Sequence, residues 1–266
     1  MINCYKHILT LFILVLIVMT AGTGYSQVKE GAPVPLFSLK GMDGKTYDLE
    51  AMKDNPMMII YFFDASSRPS QESLLTMDNL AKRYQNVDLK VWGITRSSRE
   101  SVTDFVKKTK PTFPILLDDA GVSDKYQARF ILPTTCITGP NLKLLDYFQG
   151  GGKTTNVMLV KLAERKLQQK QIVIAQALSD EAIKKDPKDT RAKMIKGYAA
   201  LKAGKLDEAE KTFADMAEEK GRGGILGKEG LASVYAAKGQ SGKALELASA
   251  VENAAPERAH IHAVKG

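Results

Sequence analysis

The sequence predicts an α/β sandwich with a mixed sheet, followed by an all-α unit of helical repeats, and three observations carry that reading. Residues 57–63, Met-Met-Ile-Ile-Tyr-Phe-Phe, form a continuous apolar run of β-branched and aromatic residues, as in a strand buried on both faces. Apolar strand-like runs then alternate with helix-like stretches and close on a hairpin near residue 148, the pattern of an α/β sandwich. From Asn156 onward β-branched runs nearly vanish, Ala, Lys, Glu and Leu dominate, and small and aromatic residues recur at a period of about 34 residues.

In chain order, Lys6 precedes an apolar stretch over residues 8–19, broken only by Thr10, and small polar residues fill 20–26. That is the build of a signal peptide over residues 1–26, with the small Gly24 and Ser26 favouring cleavage before Gln27. The apolar stretch is short for a span, which wants about 20 residues, so secretion or a periplasmic location is expected and an uncleaved N-terminal anchor is the alternative. Membrane contact is expected only in that alternative. Of the two cysteines, Cys4 falls in the leader, so a processed chain keeps Cys136 alone and forms no internal disulfide.

Residues 33–39 and 46–49 flank Asp43-Gly44 as a hairpin. After the 57–63 strand the run breaks at Asp64-Ala65-Ser66-Ser67. Pro69 then sits where a first helical turn tolerates proline, and Leu74, Met77, Ala81 and Tyr84 recur at helical spacing. Ser66 or Ser67 is expected to cap this helix. Residues 87–94 read as a second buried strand. Ser97 or Ser98 caps a helix to about Lys108, with Val102, Phe105 and Val106 on its apolar side. A strand over 113–119, a short helix over 122–128, and strands over 131–138 and 142–148 complete the unit.

The wording of this region resembles the redoxin group of thioredoxin-like proteins, which joins secreted thioredoxins with peroxiredoxins. The similar motifs are Pro-x-Phe-x-Leu then Asp-Gly-Lys-x-Tyr-x-Leu across the hairpin, the strand-turn-helix itself, Phe-Pro-x-Leu-x-Asp from Phe113, and Pro-Thr-Thr from Pro133. The resemblance implies a thioredoxin-like fold over residues 27–149 and a cis peptide bond before Pro133, opposite the active-site turn. Such proteins carry Cys-x-Pro-Cys where this chain has Ser67-Arg68-Pro69-Ser70.

That substitution removes the family's chemistry. Disulfide exchange needs a thiolate, and the serine at position 67 cannot cycle between thiol and disulfide. As a nucleophile Ser67 would need a base, and no histidine lies between Gln27 and Ala259. A peroxidatic cysteine is equally absent from residues 57–84. Asp64 reads as a turn residue, since a proton-shuttling carboxylate has no thiol to serve. Cys136 falls in an apolar strand, where a free thiol packs as a small hydrophobe. Ser67, Ser70 and Pro133 therefore mark a degenerate site with no catalytic residue, and no cofactor or metal is expected.

Residues 150–155, Gly-Gly-Gly-Lys-Thr-Thr, imitate a phosphate loop, but the position that must hold its first glycine is Tyr147; the stretch reads as a linker. Beyond it, Gly197, Tyr198, Gly204, Ala209 and Phe213, with Lys205-Leu206-Asp207-Glu208-Ala209 between helices, resemble a tetratricopeptide repeat. Ala175, Ala182 and Pro187 lie one period earlier; Tyr235, Gly239, Ala244 and Pro256 lie one later with a one-residue slip. The units run over 156–189, 190–223 and 225–258, with a tail over 259–266. The first lacks the glycine and tyrosine, and the third has Ala248 where an aromatic is usual. The resemblance implies a concave face for a peptide or protein partner; a structural cover for the first domain is the alternative. His260 and His262 sit too near the end of the chain to suggest a metal site.

The 266 residues carry a formal charge of +8, but the lysines are dispersed through predicted helices, so nucleic-acid binding is not expected. The composite expectation is an exported, redox-inactive binding or assembly factor acting through its repeats and the degenerate redoxin surface. The alternative is a thiol-disulfide oxidoreductase or peroxiredoxin-like enzyme working through Cys136, and a purely structural envelope protein is a third reading.

Overall fold

The structure, a computed structural model, describes residues 28–84 and 89–254. The expected leader, Cys4, Pro256, His260 and His262 lie outside the described residues. Two compact units meet at the Gly151–Gly152 bond.

The first unit opens with a two-stranded antiparallel hairpin, β1 (Ser38–Lys40) and β2 (Thr46–Asp48), turned by Gly44 at φ +79°. Its five-stranded sheet is made of β3 (Met57–Phe63), β4 (Leu89–Thr95), β5 (Ile115–Leu117), β6 (Thr134–Thr138) and β7 (Leu144–Gln149), in the order β5-β4-β3-β6-β7. β4 runs parallel to both β3 and β5, whereas β6 runs antiparallel to both β3 and β7. Every residue of the central β3 is buried, as a continuous apolar run in an interior strand requires. Helices α1 (Arg68–Arg83) and α2 (Arg99–Thr109) follow β3 and β4, and the single-turn α3 (Val122–Lys125) follows β5. This is a thioredoxin-like fold.

An aromatic group fills one side of the sheet. Phe37 meets Trp92 and Tyr126 edge-on at 6.2 and 6.0 Å, and Phe62 lies 5.1 Å from the Tyr126 ring. Burial of the Tyr126 ring leaves its hydroxyl needing a partner, and it donates to the Pro35 carbonyl at 2.7 Å. Strands β1 and β6 begin later than the sequence predicts, at Ser38 and Thr134, and β5 and α3 are shorter for local reasons. β5 ends at Leu117 because the Asp118 carboxylate turns onto the amides of Val122 and Ser123 at 2.7 and 2.8 Å, starting α3. α3 stops at Lys125 because Gln127 adopts φ +54°, outside the helical region.

The second unit, among the described residues, is all helical: α4 (Lys153–Gln168), α5 (Ile172–Lys185), α6 (Thr190–Lys202), α7 (Leu206–Ala217), α8 (Arg222–Ala237) and α9 (Ser241–Ala254). α4 begins at Lys153, inside the stretch expected to be linker. Each helix packs on the next, and the first helices of successive pairs (α4 with α6, α6 with α8) also touch, as in a stacked helical repeat. Phe213 on α7 is fully buried and explains the glycines around it. A Cβ on Gly197 would lie 2.5 Å from its ring, and one on Gly230 would overlap it.

Within each pair the connecting turn needs a left-handed residue. Gly204 and Gly239 supply it at φ +73° and +72°, whereas the first pair uses Lys170 at φ +60°. The glycine missing from the first repeat thus leaves a lysine in a conformation that costs a side-chain-bearing residue about 1 kcal/mol. Asp189 ties two pairs together: one carboxylate oxygen caps α6 at the Ala192 amide (3.0 Å) and the other accepts from the Asn156 amide nitrogen (2.7 Å). Among the described residues no helix is long and apolar enough to cross a membrane.

Candidate functional site

The turn between β3 and α1 is organised by Asp64. Its Oδ1 accepts from the Ser66 amide at 2.8 Å, the Ser66 hydroxyl at 2.7 Å and the Ser97 hydroxyl at 3.4 Å. Ser97 also accepts the Ala65 amide at 3.1 Å, so the loop just past β4 braces the turn after β3. The Ser66 hydroxyl, ahead of the opposing cost of burial, holds the Asp64 carboxyl below its ordinary range. Asp64 is a turn residue.

Ser67 occupies the N-cap position of α1 with extended backbone, yet its hydroxyl makes no capping hydrogen bond. The expected cap is therefore corrected. A cap side chain accepts from the second or third amide of the helix. Here the second residue is Pro69, which has no N–H, and the Ser66 hydroxyl is engaged by Asp64. Helix α1 is instead anchored by the Ser67 carbonyl, which accepts the Gln71 amide at 3.0 Å. Ser70 is fully buried, and its hydroxyl accepts the Asp64 amide at 3.2 Å. Its carbonyl accepts the Tyr61 hydroxyl at 2.7 Å. The hydroxyl at the second cysteine position is thus a structural part, whereas the one at the first is half-buried and uncommitted to the helix.

The Leu132–Pro133 peptide bond is cis. Thr134 pairs with Phe62, so Pro133 enters β6 beside the end of β3 from which the serine turn departs. Its carbonyl accepts the Gly150 amide at 2.7 Å. Gly151 then packs on α1: a Cβ there would sit 3.0 Å from the Pro69 carbonyl oxygen.

Cys136 lies in the middle of β6, paired with Ile60 on one side and Tyr147 on the other. It is 0% exposed and belongs to the main apolar core. Burial drives its thiol far above the ordinary range, so the thiolate that disulfide chemistry requires does not form there at physiological pH. Among the described residues it is the one cysteine, and none of those residues is a histidine. No group of three His, Cys, Asp or Glu among them is placed to hold a metal.

Next to the turn lies a cleft of about 320 Å³ lined by Phe63, Asp64, Ile94, Arg96, Ser97, Ser123, Ala128, Arg129 and Leu132. It opens at the carboxyl ends of the parallel strands, the edge at which α/β sheets place their ligands. Arg96 and Arg129 both bring Nη1 to Asp124, at 3.4 and 3.5 Å. Sequence reading singled out neither arginine; the one available signal was Arg96 directly following a buried parallel strand.

The model of the AhpC/TSA family matches residues 31–146. Those residues are a redoxin domain of the AhpC/TSA type. Among curated proteins, the chain is 30% identical over 99 residues to chloroplastic peroxiredoxin Q of Populus jackii, covering 36% of this chain and 46% of that protein. It is 26% identical over 136 residues to sporulation thiol-disulfide oxidoreductase A of Bacillus subtilis, covering 49% and 81%. The chain thus spans about half the length of the peroxiredoxin Q relatives it matches. Among solved structures, a thiol-disulfide oxidoreductase from Bacteroides fragilis aligns with 23% identity and a TM-score of 0.42, over 50% of this chain and 99% of that one. The redoxin match ends before α4, so the helical unit lies outside it.

Proposed function

We propose that this protein is an exported binding or assembly factor that holds polypeptide without exchanging electrons with it. The observation that carries the reading is the state of the sulfur positions: hydroxyls at Ser67 and Ser70, and the remaining thiol, Cys136, sealed in the sheet. The apolar leader over residues 8–19 supports export to the periplasm or the exterior.

The helical unit serves, in this reading, as a tetratricopeptide-like array with a peptide or protein partner. Its three stacked helix pairs and left-handed turn residues at Lys170, Gly204 and Gly239 support that assignment. The cysteine-free mouth of the redoxin domain, at Ser67 and Pro133, supplies a second contact surface. An oxidoreductase reading, suggested by the names of the relatives, would have to work through Cys136, whose burial opposes it. The test is to assay the full chain for insulin-disulfide reduction and peroxide consumption. The expected result is the rate of the buffer alone; turnover at enzyme-like rates overturns the proposal.

A further inference from the structure

The cleft beside the serine turn holds two guanidinium groups that share one carboxylate. Arg96 and Arg129 lie 28 and 5 residues in sequence from Asp124, and the fold brings both guanidinium groups to that single carboxylate. The contacts, 3.4 to 3.5 Å, sit at the long limit of hydrogen bonding, and the arginine side chains are 44% and 52% exposed. Each guanidinium has five donors in a fixed fork suited to a carboxylate, and Asp124 engages them only through Nη1. The other acid of the cleft, Asp64, is held by its own turn and by Ser97 through Oδ1 and, among the described residues, forms no ion pair with either arginine. The remaining walls are apolar (Phe63, Ile94, Ala128, Leu132) with two hydroxyls, Ser97 and Ser123.

Between the lining residues Arg129 and Leu132 the chain exposes Phe130 and Ile131, at 88% and 50%. The Arg129 guanidinium stacks over the Phe130 ring at 5.4 Å. An anionic pocket-filler flanked by apolar groups would meet this surface with complementary charge and contact. We propose that the cleft is a recognition pocket for the carboxylate side chain of an extended polypeptide, with Arg96 and Arg129 as its donors and Phe130–Ile131 as the apolar shoulder for the neighbouring residues. The proposal rests on the thiol-free binding reading and adds the chemistry the redoxin surface selects.

The test is fluorescence anisotropy on the full chain with three labelled peptides, Ala-Leu-Glu-Leu-Ala and its Gln and Lys counterparts, at low and high salt. The Glu peptide is expected to bind at least about tenfold tighter than the Gln peptide, as charge-assisted hydrogen bonds do, with the preference shrinking as salt rises. Arg96→Gln/Arg129→Gln abolishes the preference, and Arg96→Glu/Arg129→Glu transfers it to the Lys peptide. Should either double variant fail to fold, judged by its Trp92 fluorescence, Arg129→Lys on the exposed segment still lowers the preference, because an ammonium cannot replace the fork. Equal binding of the Glu and Gln peptides overturns the pocket while leaving polypeptide binding intact. No binding of any peptide overturns the pocket together with the redoxin-surface part of the functional reading. Competition by free N-acetylglutamate amide at the affinity of the Glu peptide overturns a polypeptide as the ligand.

Discussion

Replacing Ser70 with alanine separates the two serines that stand in the cysteine positions. The Ser70 hydroxyl is fully buried and accepts the Asp64 amide at 3.2 Å. Deleting it leaves that amide without its acceptor, a loss of about 1–2 kcal/mol for a partly buried backbone donor. Ser67→Ala removes a hydroxyl that makes no capping bond, so its effect stays within about 0.5 kcal/mol, where a working cap would cost about 1. The chain has one tryptophan, Trp92, buried in the redoxin domain, so its fluorescence follows that domain through a urea titration without interference from the helices. With a urea slope of about 1–3 kcal/mol per molar, Ser70→Ala lowers the midpoint by roughly 0.5–1 M while Ser67→Ala leaves it in place. Equal shifts for both variants, or a larger one for Ser67→Ala, would refute the assignment of structural work to Ser70 and of none to Ser67.

Other consequences follow from the packing. A Cβ at Gly227 would overlap the Ala217 amide and lie 2.6 Å from the Met216 carbonyl carbon, both backbone atoms that cannot swing aside. Gly227→Ala should therefore destabilise the helical unit by about 1–3 kcal/mol in thermal melts followed by far-UV circular dichroism, against a neutral or slightly favourable Gly242→Ala, where nothing lies within 4 Å. Lys170→Gly relieves a left-handed lysine and should raise the same unit's stability by about 0.5–1 kcal/mol. Asp78 on α1 is nearly buried. Burial alone would raise its pKa, but the Lys82 ammonium at 2.6 Å and the Thr112 amide and hydroxyl, each at 2.7 Å, outweigh it and hold the carboxyl low. A folded pKa below the unfolded one gives stability that is present above the unfolded value, near 3.9, and lost as pH falls through the folded value. Asp78→Asn should flatten the acid limb of the Trp92 stability profile below about pH 4.

Much of the redoxin domain was legible because its signals are local. The seven-residue apolar run reads as an interior strand, and the apolar run that holds Cys136 itself predicted that its thiol would be buried. The cis bond before Pro133 was available only through family resemblance, since local sequence does not distinguish it. The serine cap failed because capping is a competition: Asp64 took the Ser66 hydroxyl and Pro69 withheld an amide, and composition alone does not rank those partners. The cleft was illegible for a topological reason. Arg96 and Asp124 are 28 residues apart and meet only because parallel pairing of β4 with β5 brings the ends of both strands to one edge. In the helical unit the missing glycine of the first repeat was visible in sequence, but the backbone was needed to show that Lys170 takes its φ.

The state of the Cys136 thiol decides most directly whether this redoxin domain grips polypeptide or trades electrons with it. In a Cys4→Ser chain, Cys136 is the only sulfhydryl, and a chromogenic disulfide probe counts it. Burial at 0% exposure predicts no labelling in native buffer and one thiol per chain once denaturant is added. Rapid stoichiometric labelling of the native protein, accompanied by mixed disulfides with a client chain, would contradict it.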